Sequence, residues 1–400
     1  MIREAFRLLR FYHHALAQAR FSFSAVGIYS YFLVVLFLFQ SCDTPEKLLK
    51  STDLDYKYKK AMLWYNKKQY YKCIPVFEEL MGLYKGTKST EDIYYYYCMA
   101  NYKQGDYIIA AYHFKNFFDL YPNSPRADEC LYLHAKSLEN QSPHYELEQV
   151  NTYKAIEGYM LYLDNFYENR GRVDSSNQAI SRLRKKLERK ALSNAELYYK
   201  TGHYRAAATT FESLLETYHD IDNAERIYFM IVKSNFKFAE NSIPAKKEER
   251  FKHVLESYLA FSKRFPDSKY MPEASYYEQQ AHFQIVNGLL EYAQAVRPAE
   301  REPILNRCIK EADIQKEKLK DEKLRQQCEY VKETAYFLLV KSGFQLSEEQ
   351  KGEEKLNTLE KTLKSYYNFA SLYKKGKYSK EAARIYRNVS QTINKIKQNG

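Results

Sequence analysis

Residues 94–122 read YYYYCMANYKQGDYIIAAYHFKNFFDLYP, and the placement of the small and aromatic residues in them dictates two antiparallel helices. Gly105 permits a tight turn after Tyr102-Lys103-Gln104, because a residue without Cβ enters left-handed backbone freely. Ala110 lets the two helices approach closely, Phe114 and Phe118 fill the space between them, and Pro122 stops the second helix.

The same grammar recurs along the chain. Trp64, Lys68, Tyr70, Cys73, Phe77 and Leu80 occupy these slots 37 residues earlier, and Tyr198, Gly202, Tyr204, Ala207, Phe211 and Leu215 occupy them later. A third pair has a longer turn, Gln141 to Gln149, before Ala155, Tyr159, Tyr162 and Phe166. A fifth, around Val254, Tyr258 and Phe261, ends in Phe265-Pro266-Asp267-Ser268, which echoes Tyr121-Pro122-Asn123-Ser124. The pattern resembles the tetratricopeptide (TPR) consensus. The expected fold is all-α: a TPR-like helical-repeat solenoid of about five helix pairs with a helical C-terminal extension. Composition agrees, since 12 Gly and 10 Pro in 400 residues leave little material for a turn-rich β protein. The 40 tyrosines suit helix-on-helix packing in which each ring lies against a neighbour while its hydroxyl reaches water.

Residues 225–274 align without a gap to residues 333–382, at an offset of 108. Tyr228, Phe229, Val232, Lys233, Ser234 and Phe236 match Tyr336, Phe337, Val340, Lys341, Ser342 and Phe344. The expected organisation is therefore a signal peptide over 1–41, a lipidated linker over 42–54, five helix pairs over 55–280, and an extension over 281–400 that partly duplicates 225–274. Between the copies, Glu300 to Lys323 is a charge run flanked by Pro298, with Pro303 inside it, and reads as a hinge or a long exposed helix.

Ile28 to Phe39 is a run of twelve mostly apolar residues, whereas a spanning helix needs roughly 20. It suits the hydrophobic region of a secretory signal, the alternative being an uncleaved anchor or a buried helix. Leu38-Phe39-Gln40-Ser41-Cys42 resembles a bacterial lipobox, although Phe39 and Gln40 depart from the pattern. The resemblance implies lipidation of Cys42. Removing the leader, with four arginines against Glu4, lowers the net charge from +12 to +9. These charges are interspersed with acids, so no nucleic-acid partner is expected. Arg182, Arg184, Lys185, Lys186, Arg189 and Lys190 form the densest basic cluster, with Ile180, Leu183 and Leu187 spaced as one apolar face. That helix either meets acidic headgroups or an acidic partner, or simply has a wet basic side.

No catalytic constellation, phosphate-cradling loop or metal-ligand spacing is found, and neither enzyme activity nor a cofactor is expected. Cys73 and Cys98 fall in slots where the repeat wants a small residue and read as core thiols. Cys308 and Cys328 could bridge two helices only if the fold brings them together. Binding is expected on the concave surface formed by the first helix of each pair, where the grammar places Tyr58, Met62, Tyr65, Tyr95, Met99, Tyr102 and Tyr199. Each of these rings could instead pack against the next repeat.

From Cys42 to about Gln280 the chain resembles the BamD family, outer-membrane lipoproteins of the β-barrel assembly machinery. The resemblance rests on Val76-Phe77-Glu78-Glu79-Leu80, Tyr84-Lys85-Gly86-Thr87, Ala110-Ala111-Tyr112-His113-Phe114, Tyr121-Pro122-Asn123-Ser124-Pro125-Arg126-Ala127, Asn151-Thr152-Tyr153-Lys154-Ala155-Ile156 and Lys186-Leu187-Glu188-Arg189-Lys190-Ala191. It implies a periplasm-facing adaptor, lipid-anchored to the outer membrane. The C-terminal repeats would dock the periplasmic domains of the barrel insertase, and the N-terminal repeats would meet unfolded outer-membrane proteins. Two features depart from the family: Ala281 to Gly400 has no assigned role, and Asp43 is an inner-membrane retention signal in some bacteria. A rival resemblance, to SusD-type glycan-binding lipoproteins, implies long loops between repeats, whereas the loops here are short.

Overall fold

The computed structural model describes residues 44–399. Cys42, Asp43 and the leader therefore lie outside the described residues. Sixteen α-helices and one 3-10 turn account for the described chain, and no strand occurs among these residues. They form two compact units, residues 44–143 with 149–180, and residues 144–148 with 181–399.

The first unit begins with the short helix α1 (Pro45–Leu49) and continues through two tight helix pairs. These are α2 (Leu54–Asn66) with α3 (Tyr70–Leu83), and α4 (Lys88–Gln104) with α5 (Tyr107–Leu120). A third pair follows, α6 (Ala127–Asn140) and α7 (Val150–Asn165), and then the first part of α8 (Arg170–Lys200). Asp53 starts α2 by accepting the Tyr56 backbone N–H at 2.9 Å. The close-approach slots are filled as the pattern requires: Ala61, Cys98 and Ala135 on the first helices, and Cys73, Ala110 and Ala155 on the second, are all fully buried. Phe114 is buried as expected, but its companion is Phe117 and not Phe118. Phe118 is half-buried and meets the Phe166 ring at 5.9 Å.

The turns show what the repeat demands of the backbone. Gly105 and Gly202 adopt φ of +95° and +81°, and Lys68, in the corresponding slot of the first pair, adopts φ of +59°. A side chain there costs roughly 1 kcal/mol relative to glycine. Lys68→Gly is accordingly expected to raise unfolding stability by about 1 kcal/mol, read as a shift of the denaturant midpoint at unchanged slope. A lowered midpoint would show that the Lys68 side chain contributes more than its backbone strain costs.

The second unit contains the rest of α8 and the pair α9 (Tyr204–Thr217) and α10 (Ala224–Glu240). Next come α11 (Pro244–Arg264), α12 (Met271–Ala295), α13 (Arg301–Lys318), α14 (Glu322–Glu349), α15 (Gly352–Leu372) and α16 (Ser379–Asn399). Its apolar cores follow one another along the chain, each shared by neighbouring helices, which is how a solenoid distributes its burial. α12 is buried along most of its length, by Ala274, Tyr277, Ala281 and Ile285 and then by Val286, Leu289 and Leu290. α16 instead buries one stripe, Ala382, Ile385, Val389 and Ile393, and turns a polar face outward.

The charge run from Glu300 is a packed helix rather than a hinge or an exposed one. Leu305, Cys308 and Ala312 on α13 are at most 1% exposed, and they join a core with Val286, Leu324 and Val331. Their spacing is a single stripe hidden among charged neighbours. Cys308 and Cys328 share this core as free thiols, and the Cys308 Sγ–H points to the Val286 carbonyl at 3.5 Å.

The duplicated segments repeat their contacts as well as their residues. Phe229 stacks on Tyr270 at 4.7 Å and 8°, and Phe337 stacks on Tyr378 at 4.5 Å and 5°. Lys233 pairs with Glu273 at 2.8 Å and Lys341 with Glu381 at 3.4 Å.

Candidate functional site

Six of the seven expected binding residues lie in the first unit, on α2 and α4. Tyr58, Met62 and Tyr65 follow one another at i, i+4 and i+7, and Tyr95, Met99 and Tyr102 repeat that spacing 37 residues later, so each trio shares a helix face. All six are partly buried and pack on the core of this unit. Tyr199 belongs to the second unit, where it packs on the core around Ala195 and Phe211 and meets the Tyr204 ring at 5.4 Å.

The rings are held in fixed orientations. Tyr65 meets Tyr96 edge-on at 5.2 Å, and Tyr95 meets Tyr96 at 5.5 Å, so Tyr96 joins the two rows. Tyr102 turns toward its own helix pair, contacting Tyr107 at 5.6 Å and Phe114 at 6.0 Å. At that position the packing role prevails over presentation.

An electrostatic frame surrounds the rings. The Arg126 guanidinium lies 4.4 Å from the Tyr95 ring centroid and 5.6 Å from that of Tyr96, a cation over aromatic faces. Arg126 also pairs with Asp92 at 2.5 Å. The Tyr95 hydroxyl donates to Glu129 at 2.9 Å, and Arg172 pairs with Asp128 at 2.6 Å and reaches Glu129 at 4.0 Å. Tyr162 and Asn169 also donate to Asp128. Burial pushes the Tyr65 phenol up to about 12, and burial likewise raises Tyr58, Tyr95 and Tyr102. These hydroxyls therefore remain neutral donors at physiological pH.

On α6 the slots that hold Tyr, Met and Tyr in the first two repeats hold Tyr132, Lys136 and Glu139, with Lys136 and Glu139 paired at 2.8 Å. The face thus passes from aromatic and thioether groups to charged ones along the first unit. Nothing in the repeat pattern marks Tyr96 or Glu129. The only signal for Arg126 was its place after Tyr121-Pro122-Asn123-Ser124-Pro125, where a proline-rich turn leads into the next first helix.

Cys73, Cys98 and Cys130 are fully buried, and burial pushes their thiols up, to about 12 for Cys73. Among the described residues no cluster of His, Cys, Asp and Glu is arranged to hold a metal ion. Among them also, no helix is long and apolar enough to cross a membrane. The basic stretch of α8 does not present an apolar face either. Leu183 and Leu187 are buried, while Lys185 pairs with Asp222 at 3.4 Å, Arg189 lies 4.2 Å over Tyr145, and Lys190 donates to the Leu147 carbonyl at 2.7 Å.

Residues 51–226 match the profile of the YfiO family, described as outer membrane lipoprotein. The matched segment is under half of the chain and ends inside α10, short of the Gln280 to which the resemblance extends. No curated protein matches the sequence. Similar solved structures include the TPR2AB domain of yeast Sti1 in its pHSP90 complex, at 11% identity over 69% of this chain and 98% of that one, with a TM-score of 0.30. The TPR domain of P58(IPK) gives 16% identity over 74% and 68%, with a TM-score of 0.28. A tetratricopeptide repeat protein from Parabacteroides merdae gives 10% over 84% and 98%, with a TM-score of 0.24.

Proposed function

From the match of residues 51–226 to the outer membrane lipoproteins of the YfiO family, we propose that this chain is an adaptor of the β-barrel assembly complex. Cys42 carries the lipid, the barrel insertase docks through its periplasmic domains, and unfolded outer-membrane proteins are held on the face of α2 and α4. The observation that supports this most is the face of Tyr58, Met62, Tyr65, Tyr95 and Met99, in which Tyr96 meets the Tyr65 and Tyr95 rings and Arg126 lies over Tyr95.

An unfolded barrel strand presents alternating aromatic side chains. Methionine adapts to rings of varied shape, and a neutral tyrosine hydroxyl can donate to an unpaired strand carbonyl. Weak contacts suffice, because a lipid tether raises the effective concentration of the partners beside the membrane. Weakness is also useful, since a handover factor must release what it holds.

The test is photo-crosslinking from Met62 and Met99 in living cells, with recovery of the tagged chain from detergent-solubilised envelopes. Unfolded barrel proteins crosslinked at both positions, and the insertase recovered with the chain, are expected. Recovery without any barrel insertase, or crosslinks confined to other envelope proteins, would overturn the proposal.

A further inference from the structure

The duplication in the second unit provides an internal comparison between two equivalent grooves. In the first copy α9, α10 and α11 enclose a cleft of about 700 Å³, floored by Ile231 and Phe238 of α10. The residues at the same places in the second copy, Leu339 and Leu346 of α14, floor a cavity of only about 100 Å³. The difference is a segment of the chain itself. Pro298, Ala299 and Glu302 line the second cavity opposite α15, and the 3-10 turn Pro298–Glu300 packs on α14 just before α13 begins.

One hydrogen bond distinguishes the copies further. Arg301 donates to the Ser342 hydroxyl at 3.4 Å. Its counterpart Ser234 on α10, behind the residues that line the open cleft, is fully buried and its hydroxyl has no hydrogen-bond partner. The first copy therefore retains the floor and lacks the covering segment.

Charge specifies what would cover it. Helices α9 and α11 each pack antiparallel to α10 and so run in the same direction, and their N-terminal halves form one end of the cleft, with Arg205 in the first turn of α9 and Lys246 and Arg250 in the first two turns of α11. Lys246 is paired with Glu249 at 3.0 Å, and Arg250 lies 4.0 Å over Phe238. The far end carries Glu212, Glu216 and Glu256, with His253 beside Glu256 at 2.9 Å. A helix entering with acidic residues in its first turn and basic residues in its last satisfies both ends, and this is also the charge order that favours a helix dipole. The turn that fills the second groove has that beginning, with Glu302 lining the cavity and Glu300, paired with Arg297, two residues before it.

We propose that the cleft between α9 and α11 docks a partner protein through a proline-alanine turn that opens an amphipathic helix with an acidic first turn, imitated within the chain by residues 298–302. The site lies in the second unit, and it does not rest on the tyrosine face or on the assembly reading.

The experiment titrates the purified full chain with a labelled synthetic peptide of residues 296–312 carrying Cys308→Ser, followed by fluorescence anisotropy. Saturable binding is expected. Thr209→Trp, which places a ring in the open cleft from an exposed position, should weaken it about tenfold or more, and Arg205→Glu should weaken it several-fold. A peptide with Glu300→Lys and Glu302→Lys should bind worse than the natural sequence. Circular dichroism and thermal unfolding establish that each variant is folded. Three outcomes would overturn the proposal: no saturable binding, equal binding of a scrambled peptide, or affinity unchanged by both Thr209→Trp and Arg205→Glu. Since Thr209→Trp leaves the second groove untouched, displacement of the chain's own turn would appear as binding that this variant does not alter.

Discussion

A Cys42→Ala chain is expected to leave the outer-membrane fraction almost completely and to be recovered as a soluble or inner-membrane species with its helical content unchanged. Lipid attachment at this residue would be worth about 0.8 kcal/mol per buried methylene, so two or three acyl chains anchor stably where one gives only marginal, reversible binding. Little else among the described residues could substitute. No helix there is long and apolar enough to cross a membrane, and the apolar stripe under the basic cluster of α8 is already spent on Leu183 and Leu187 in the core. Cys42 stands three residues before Pro45, where α1 begins, so a lipid there would be joined to the folded chain by a leash of at most about 10 Å. Such a leash keeps the first repeats close to the membrane surface. Fractionation with an outer-membrane porin and a periplasmic enzyme as markers gives the readout. Undiminished outer-membrane recovery of the alanine variant would refute the lipid anchor, whatever the repeats bind.

The parts of the fold legible in the sequence were those set by local geometry. A turn requiring φ near +90° selects glycine at Gly105 and Gly202, and the spacing from it fixes the small residues Cys73, Cys98 and Ala110. Both signals lie within one helix pair, so one sequence suffices to see them. The choice between Phe117 and Phe118 depends on rotation of α5 by one residue, about 100°, which the consensus spacing does not resolve. α13 was obscured for a different reason: its three buried apolar residues at i, i+3 and i+7 were outnumbered by charges, and composition outweighed periodicity.

The frame of the candidate site was the least legible part. Arg126 reaches the Tyr95 and Tyr96 rings from the start of the following helix, and Arg172 reaches Asp128 from 44 residues away, so no spacing within one repeat announces either contact. The division into two units was equally silent. The repeat grammar runs through α8 without interruption, yet Tyr199 falls in a different unit from the other six candidates.

Glu79→Ala is expected to destabilise the first unit by about 3 kcal/mol, because it strands a buried ammonium. The Lys57 side chain is 3% exposed, and its Nζ donates to both carboxylate oxygens of Glu79 at 2.9 Å and to the Leu49 carbonyl at 2.8 Å. Those bonds join α2 to α3 and to the end of α1, the first described element after the proposed lipid site. Removing the carboxylate leaves a charge that the Leu49 carbonyl alone cannot compensate, and α1 would be released as the ammonium moves toward water. Lys57→Met, which removes the charge and keeps most of the side-chain volume, is expected to cost much less, and Lys57→Met combined with Glu79→Ala should recover most of the loss, since a buried ion pair often contributes little over an apolar replacement. Chemical denaturation of the three variants measures this directly. Equal losses in Glu79→Ala and in the double variant would show that Glu79 acts through contacts other than Lys57. A loss in Lys57→Met as large as that in Glu79→Ala would show instead that the bond to Leu49, and with it the seating of α1 behind the anchor, dominates the stability of this end of the chain.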